Sequence, residues 1–306
     1  MTRHPARKFP CRFAFLILAL LMPPATPAAM TELNLPQADG GTLTLPEPAK
    51  RIITLAPNLT ELVFAAGAGE RLVAVVEYSN YPADARQIPR IGDAFRIDLE
   101  RIAELAPDLV IAWKSGNPQA ALQMLEQMDI NVWHVEIARP EEIPTVVEDI
   151  SRAAGTESTG HPAARQMRRR LEALKHRNAG KPTVDYFYQV AARPLYTING
   201  NHIISRGLKI CGGANIFSKL PVLAPQVTVE SVIVANPQAM IAPDTTGEAP
   251  ALETWSGWPG LRATQEENFI YLPADEISQA TPRLLDSLEQ ACELLDQVRA
   301  KETRAD

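Results

Sequence analysis

Residues 98–112 read DLERIAELAPDLVIA, and residues 228–242 read TVESVIVANPQAMIA. The two phrases align without a gap. Each runs helix-capping residue, glutamate two positions on, short apolar helix, proline, apolar strand. The side-chain oxygens of Asp98 and Thr228 suit the free N–H groups of a first helical turn, and a glutamate in that turn complements the helix dipole. Each proline then stops its helix before the strand begins. Repetition at one constant offset predicts two similar halves.

Working outward, short apolar runs alternate with amphipathic ones. In the first half the pattern predicts strands over 52–55, 72–76, 109–113 and 132–135, with helices over 58–66, 98–105, 118–128 and 140–154. In the second half it predicts strands over 184–188, 240–242 and 269–272, with helices over 202–211, 229–235 and 282–300. Strand–helix alternation of this kind builds a mainly parallel sheet covered by helices on both faces. Between the halves, Ala164, Met167, Leu171 and Leu174 mark one narrow helical stripe among four arginines. A helix with so thin an apolar face is expected to be mostly exposed.

The N-terminus reads as an address. Arg3, Arg7, Lys8 and Arg12 precede an apolar run over 13–22, which Pro23 and Pro24 break before small residues suited to cleavage after Ala28 or Ala29. The run is shorter than the roughly 20 residues needed to span a bilayer, and no other long apolar run follows. Residues 1–29 are therefore expected to be a signal peptide, and the rest an exported chain with no membrane anchor. Taking four basic residues from a formal −6 leaves −10, which disfavours a nucleic-acid partner. About 277 residues then remain, enough for two domains.

Cys11 leaves with the signal and is no lipid-anchor cysteine. Cys211 and Cys292 remain, and two cysteines in an exported chain read as one disulfide, with a pair of buried free thiols as the alternative. Enzyme signatures are absent: there is no Gly-x-Ser-x-Gly, His-Glu-x-x-His, phosphate loop or Gly-x-Gly-x-x-Gly after a strand. His134, His161, His176 and His202 are scattered without ligand spacing, so neither a catalytic residue nor a metal site is expected. Tyr78, Tyr81, Phe95, Trp113 and Tyr196 fall on loops or strand ends in both halves. Ligands of open α/β sheets bind beyond the carboxyl ends of strands, so together these rings suggest an apolar-walled cleft for a planar molecule. Taken singly, each ring is better read as a packing residue. On helix physics alone, Glu100 and Glu230 are helix-start residues.

From Arg51 to about Arg299 the chain resembles the periplasmic vitamin B12-binding proteins of ABC importers. The phrases RIITLAPNLTELVFAAG, YSNYP, LERIAELAPDLVIAW, CGGANIF, PQVTVESVIVANPQAMI and TPRLLDSLEQAC occur in that family's order. LAPDLV belongs equally to relatives that bind haem and ferric siderophores. LVIAWKSGN, CGGANIF and the late cysteine are closer to the B12 branch.

The resemblance implies an α/β fold of two Rossmann-like lobes joined by a single long rigid helix, that of a class III periplasmic binding protein. The implied layout is an N-terminal lobe over 50–154, the connecting helix over 155–180 and a C-terminal lobe over 181–304. It implies a monomer that carries a cobalt-containing corrinoid as cargo, with no cofactor, to a permease dimer in the inner membrane. Implied cleft residues are Tyr78, Phe95, Trp113, Tyr196, Asp275 and Gln279, with Tyr78 and Tyr196 expected to face each other. Glu100 and Glu230 fall on the positions that dock onto permease arginines, and Cys211 with Cys292 on the family's disulfide. Three positions depart from the B12 branch: Ala94 and Ala224 stand for tryptophans, and Gln279 for an arginine. Haem or a ferric siderophore is the alternative cargo, with Tyr78, Tyr81 or His202 as axial ligand or with Arg96 and Arg193 as siderophore partners. An exported enzyme on this scaffold is the alternative of another class.

Overall fold

The computed structural model describes residues 1–2, 32–244 and 251–305. Apart from its first two residues, the expected signal peptide and its cleavage site lie outside the described residues. Glu32–Asp306 forms one compact unit.

That unit opens with an antiparallel hairpin, β1 (Leu33–Pro36) and β2 (Thr42–Leu45). There follow β3 (Ile52–Thr54), α1 (Pro57–Ala65), β4 (Leu72–Val75), α2 (Leu99–Leu105), β5 (Leu109–Trp113), α3 (Gln119–Gln127), β6 (Val132–Val135) and α4 (Ile143–Ala154). Next comes the 22-residue α5 (Glu157–Asn178). The second half holds β7 (Val184–Tyr188), the short hairpin β8 (Ala191–Ala192) and β9 (Leu195–Tyr196), α6 (Ile203–Ile210), β10 (Gly213–Asn215), α7 (Val229–Ala235) and β11 (Ala239–Asp244). It closes with α8 (Arg262–Gln265), β12 (Phe269–Pro273), α9 (Ala274–Ile277) and α10 (Arg283–Ala305).

Among the described residues two four-stranded parallel sheets form, in the orders β4-β3-β5-β6 and β10-β7-β11-β12. The topology is the same in both. The chain steps from the first strand out to one side, then returns past it to the other side. Alternation along the strands fills two faces. Leu109 and Ile111 enter a central core, while Val110 and Ala112 enter a core private to the first half. Tyr186 and Tyr188 enter the same central core, and Phe187 enters one private to the second half. Both faces of each sheet are thus buried, as parallel sheets require.

The repeated phrase is a structural repeat. Asp98 Oδ1 accepts from Arg101 N at 2.9 Å and Thr228 Oγ1 from Ser231 N at 3.2 Å. Each seven-residue helix buries a single apolar side chain in its sheet, Ile102 or Val232. Each ends in a left-handed cap, Ala106 or Asn236.

The stripe on α5 is buried as Ala164, Met167, Leu171 and Leu174, with Gly160 and Asn178 at its ends. Most of the rest of its surface is exposed or half-buried. Its stripe joins the central core, which also takes residues from α1, α4, α6 and α10. Arg168 clasps Glu148 of α4 through two hydrogen bonds of 2.5 and 2.7 Å, and Arg170 reaches Asp286 and Glu289 of α10. Cys211, at the end of α6, is bonded to Cys292 of α10, so the disulfide is formed and both ends are buried.

Candidate functional site

Two adjoining cavities open where the carboxyl ends of the first sheet face the second half. The larger has a volume of about 390 Å³. One wall comes from residues 57–59 after β3, Trp113 and Ser115 after β5, and 135–138 after β6. The other comes from 201–203 at the start of α6, Leu223, and 278–280 after α9. Between β3 and β5 the direction of strand connection reverses, which is where open α/β sheets bind ligands. The lining is mainly apolar, with a few polar groups placed to orient a ligand.

Trp113 is held as part of that wall. Its backbone N–H donates to Asn117 Oδ1 at 2.7 Å, and its indole N–H to Glu136 Oε1 at 3.4 Å. Glu136 Oε2 accepts from Ser115 N at 3.0 Å. A Cβ on Gly116 would lie 1.9 Å from the indole ring, so only glycine lets the ring fold over this turn. Asn117 is buried and donates to Leu55 O and Ala94 O, tying β3, the Trp113 turn and the Phe95 loop together.

The smaller cavity, about 210 Å³, shares Pro57 and Gln279 with the larger one. Its lining is polar: Glu61, Tyr78, Asn80, Tyr81, Arg86, Asp275 and Arg283. Arg283 at the start of α10 grips Glu61 of α1 with bonds of 2.8 and 3.0 Å, and its guanidinium lies 4.0 Å from the Tyr81 ring centre. Glu61 is almost wholly buried, at 3 % exposure. Burial works against the Arg283 charge, and the hydrogen bonds and charge of Glu61 outweigh it, so its pKa lies above the ordinary arginine value. This pair joins residues 222 positions apart and crosses between the halves. Tyr78 sits at φ +66, a left-handed conformation unfavourable for a bulky side chain.

His202 lies in the larger cavity as the cap of α6, and its Nδ1 accepts from Ile204 N at 3.3 Å. Burial pushes its pKa below the ordinary histidine value. The neutral ring therefore carries its proton on Nε2. A haem iron would need that nitrogen's lone pair and would displace the cap.

Of the expected cleft residues, Trp113 lines the larger cavity, Tyr78 and Asp275 the smaller, and Gln279 both. Phe95 and Tyr196 line neither. Phe95 is 72 % exposed on its loop, and Tyr196 is half-buried in β9, bridged to Gln226. The expected pairing of Tyr78 with Tyr196 is thus not found across these two cavities. Arg96 and Arg193, the expected siderophore partners, also line neither cavity. Glu100 and Glu230 are exposed on the first turns of α2 and α7. The Glu230 carboxyl is held below the usual range by its own backbone N–H and by the Thr228 hydroxyl.

Glu61, Arg283 and Glu136 escaped the sequence reading. Glu136 follows directly on β6, so the strand-end rule alone would have singled it out. Nothing local marks Glu61, which reads as one charged residue on a mainly apolar helix. Among the described residues no helix is long and apolar enough to cross a membrane, and no cluster of histidine, cysteine and acidic side chains suits a metal.

Residues 52–276 match the family described as periplasmic binding protein. The vitamin B12-binding protein of Vibrio cholerae serotype O1 is 38 % identical over 255 residues, covering 83 % of this chain and 91 % of that protein. The vitamin B12-binding protein of Yersinia pestis is 34 % identical over 82 % of this chain and 88 % of its own length. The crystal structure of the periplasmic vitamin B12-binding protein BtuF of Vibrio cholerae superposes with a TM-score of 0.77 at 36 % identity, covering 82 % of this chain and 98 % of that one. A periplasmic haem-binding protein of the same organism, HutB, shares the fold at a TM-score of 0.70 with 22 % identity, over 80 % of this chain and 98 % of its own. Family match, identity across most of both chains and common architecture agree: the chain belongs to the periplasmic binding protein family.

Proposed function

We propose that this protein is a periplasmic receptor that captures a corrinoid, vitamin B12 or a near relative, and delivers it to an ABC permease dimer without catalysing a reaction. The observation that carries the reading is the larger cavity: an apolar chamber walled by Trp113 at the switch point of the first sheet, in a chain over a third identical to vitamin B12-binding proteins. A planar macrocycle gains large contact area there with little ordering of side chains. The polar chamber beside it suits the amide-bearing rim of such a ligand.

On this reading the lobes span 50–154 and 181–304, with 155–180 as the connecting helix. The protein acts as a monomer exported by its N-terminal segment. Tyr78, Trp113, Asp275 and Gln279 contact the cargo, with Phe95 and Tyr196 at the mouth. Cobalt belongs to the cargo and is no resident cofactor. Glu100 and Glu230 face the two permease subunits.

The test is calorimetric titration of the mature chain with cyanocobalamin, cobinamide, haemin and a ferric siderophore. Corrinoid binding is expected, and Trp113→Ala should weaken it by about 1–3 kcal/mol, the value of burying a large apolar side chain. Binding of haemin or siderophore with no corrinoid binding would overturn the reading.

A further inference from the structure

The two cavities hold few charges, and their balance is unusual for a site meant to receive an anion. Among the described residues the larger contains one charged side chain, Glu136, and no lysine or arginine. Lys114, its nearest cation along the chain, turns away to Asp39 at 3.6 Å. His202 is kept neutral by burial. In the smaller cavity Arg283 is clasped by Glu61, and Arg86 shares the lining with Asp275. Among the described residues of the two linings, three carboxylates thus face two guanidinium groups. Gln279, on the partition between the cavities, brings a neutral amide to both linings.

We propose that Glu136 is a specificity-determining residue whose carboxylate selects cationic or neutral macrocycles and rejects those bearing carboxylates. The position supports this. Its two oxygens are anchored by the Trp113 indole and the Ser115 amide, so the charge stands beside the ring that walls the chamber. A macrocycle stacked on Trp113 lies close to that charge. Two unit charges several ångströms apart at an exposed surface change a dissociation constant several-fold. The proposal rests on the corrinoid reading and refines it. Cobinamide lacks the phosphodiester of the complete vitamin, and its aquocyano form carries one more positive charge than cyanocobalamin. Haem, with two propionates, meets a carboxylate where it needs a cation.

The experiment compares aquocyanocobinamide with cyanocobalamin, in the unaltered protein and in Glu136→Gln. The ratio of the two dissociation constants should shift by about three- to tenfold in the variant, against cobinamide, as that Coulomb energy requires. In the unaltered protein, raising salt from about 20 mM to about 500 mM should weaken cobinamide more than cyanocobalamin, because only the former interaction is screened. If both ligands bind, an unchanged ratio overturns the proposal and leaves the corrinoid reading standing. Should the variant not fold, equal salt dependence of the two ligands in the unaltered protein overturns it alone. If neither corrinoid binds, both readings fall.

Discussion

His202 combines two roles at one position. Its ring caps α6, and its burial depresses its pKa below the ordinary 6.5. The sign follows from proton counting. Below about pH 6.5 the unfolded chain takes up a proton that the folded protein refuses, so stability falls as pH drops from that value towards the folded pKa. His202→Asn keeps a side-chain oxygen able to cap the helix and removes the titration. The variant is expected to lose less stability than its parent between about pH 7 and pH 5. Urea midpoints at both pH values check this, and equal losses would show that His202 is not buried. Gly116 illustrates the same economy: a residue with no side chain decides where the Trp113 ring lies.

Among the described helices, α4 and α5 pack against each other most extensively. A Cβ on Gly160 of α5 would lie 2.2 Å from the Cβ of Ser151, which is fully buried on α4. In an exposed helix, glycine to alanine stabilises by up to about 1 kcal/mol. Here the added methyl has nowhere to go, because the Ser151 hydroxyl is itself bonded to Glu148 O at 2.8 Å. Gly160→Ala is therefore expected to destabilise the protein by about 1–3 kcal/mol, the usual cost of overpacking. Chemical denaturation measures it, and a stabilised variant would mean that the two helices stand further apart. Most elements were legible at this scale. The sequence pattern located β5, β6, β7 and α7 to the residue, since caps, prolines and apolar runs are local signals. The hairpin of β1 and β2 was not, because its strands are held by β6 from far along the chain. Gln37, on the turn that joins them, donates to Val132 O and accepts from His134 N.

For the molecule as a whole, the two halves present the same feature twice, a capped short helix with an exposed glutamate in its first turn. A duplicated charge suits a partner with two-fold symmetry. Carboxylate–guanidinium pairs are sensitive to geometry and to charge sign. Reversing both, as Glu100→Arg with Glu230→Arg, should abolish uptake of cargo in cells while leaving binding by the isolated protein in place, since neither residue lines either of the two cavities described above. Full uptake by the double variant would reduce both glutamates to helix-start residues. The continuous central core and the buried Glu61–Arg283 pair oppose large movement between the halves. Removing one member of such a pair strands a buried charge, at a cost of about 3–5 kcal/mol.

By itself the sequence determined the alternation of strands and helices, the internal repeat, the capped helices α2 and α7, and the likeness that points to a periplasmic binding protein. Each of these is written in neighbouring residues, through periodicity, caps and breakers. The sequence also named Trp113, because an aromatic ending a strand of an open sheet stands where ligands bind. Only the tertiary structure decided which side chains share the cleft. Glu61 meets Arg283 across 222 positions, and Glu136 meets Trp113 across two neighbouring strand ends. Such meetings depend on how whole elements pack, and no local pattern records the partner that folding brings from the other end of the chain.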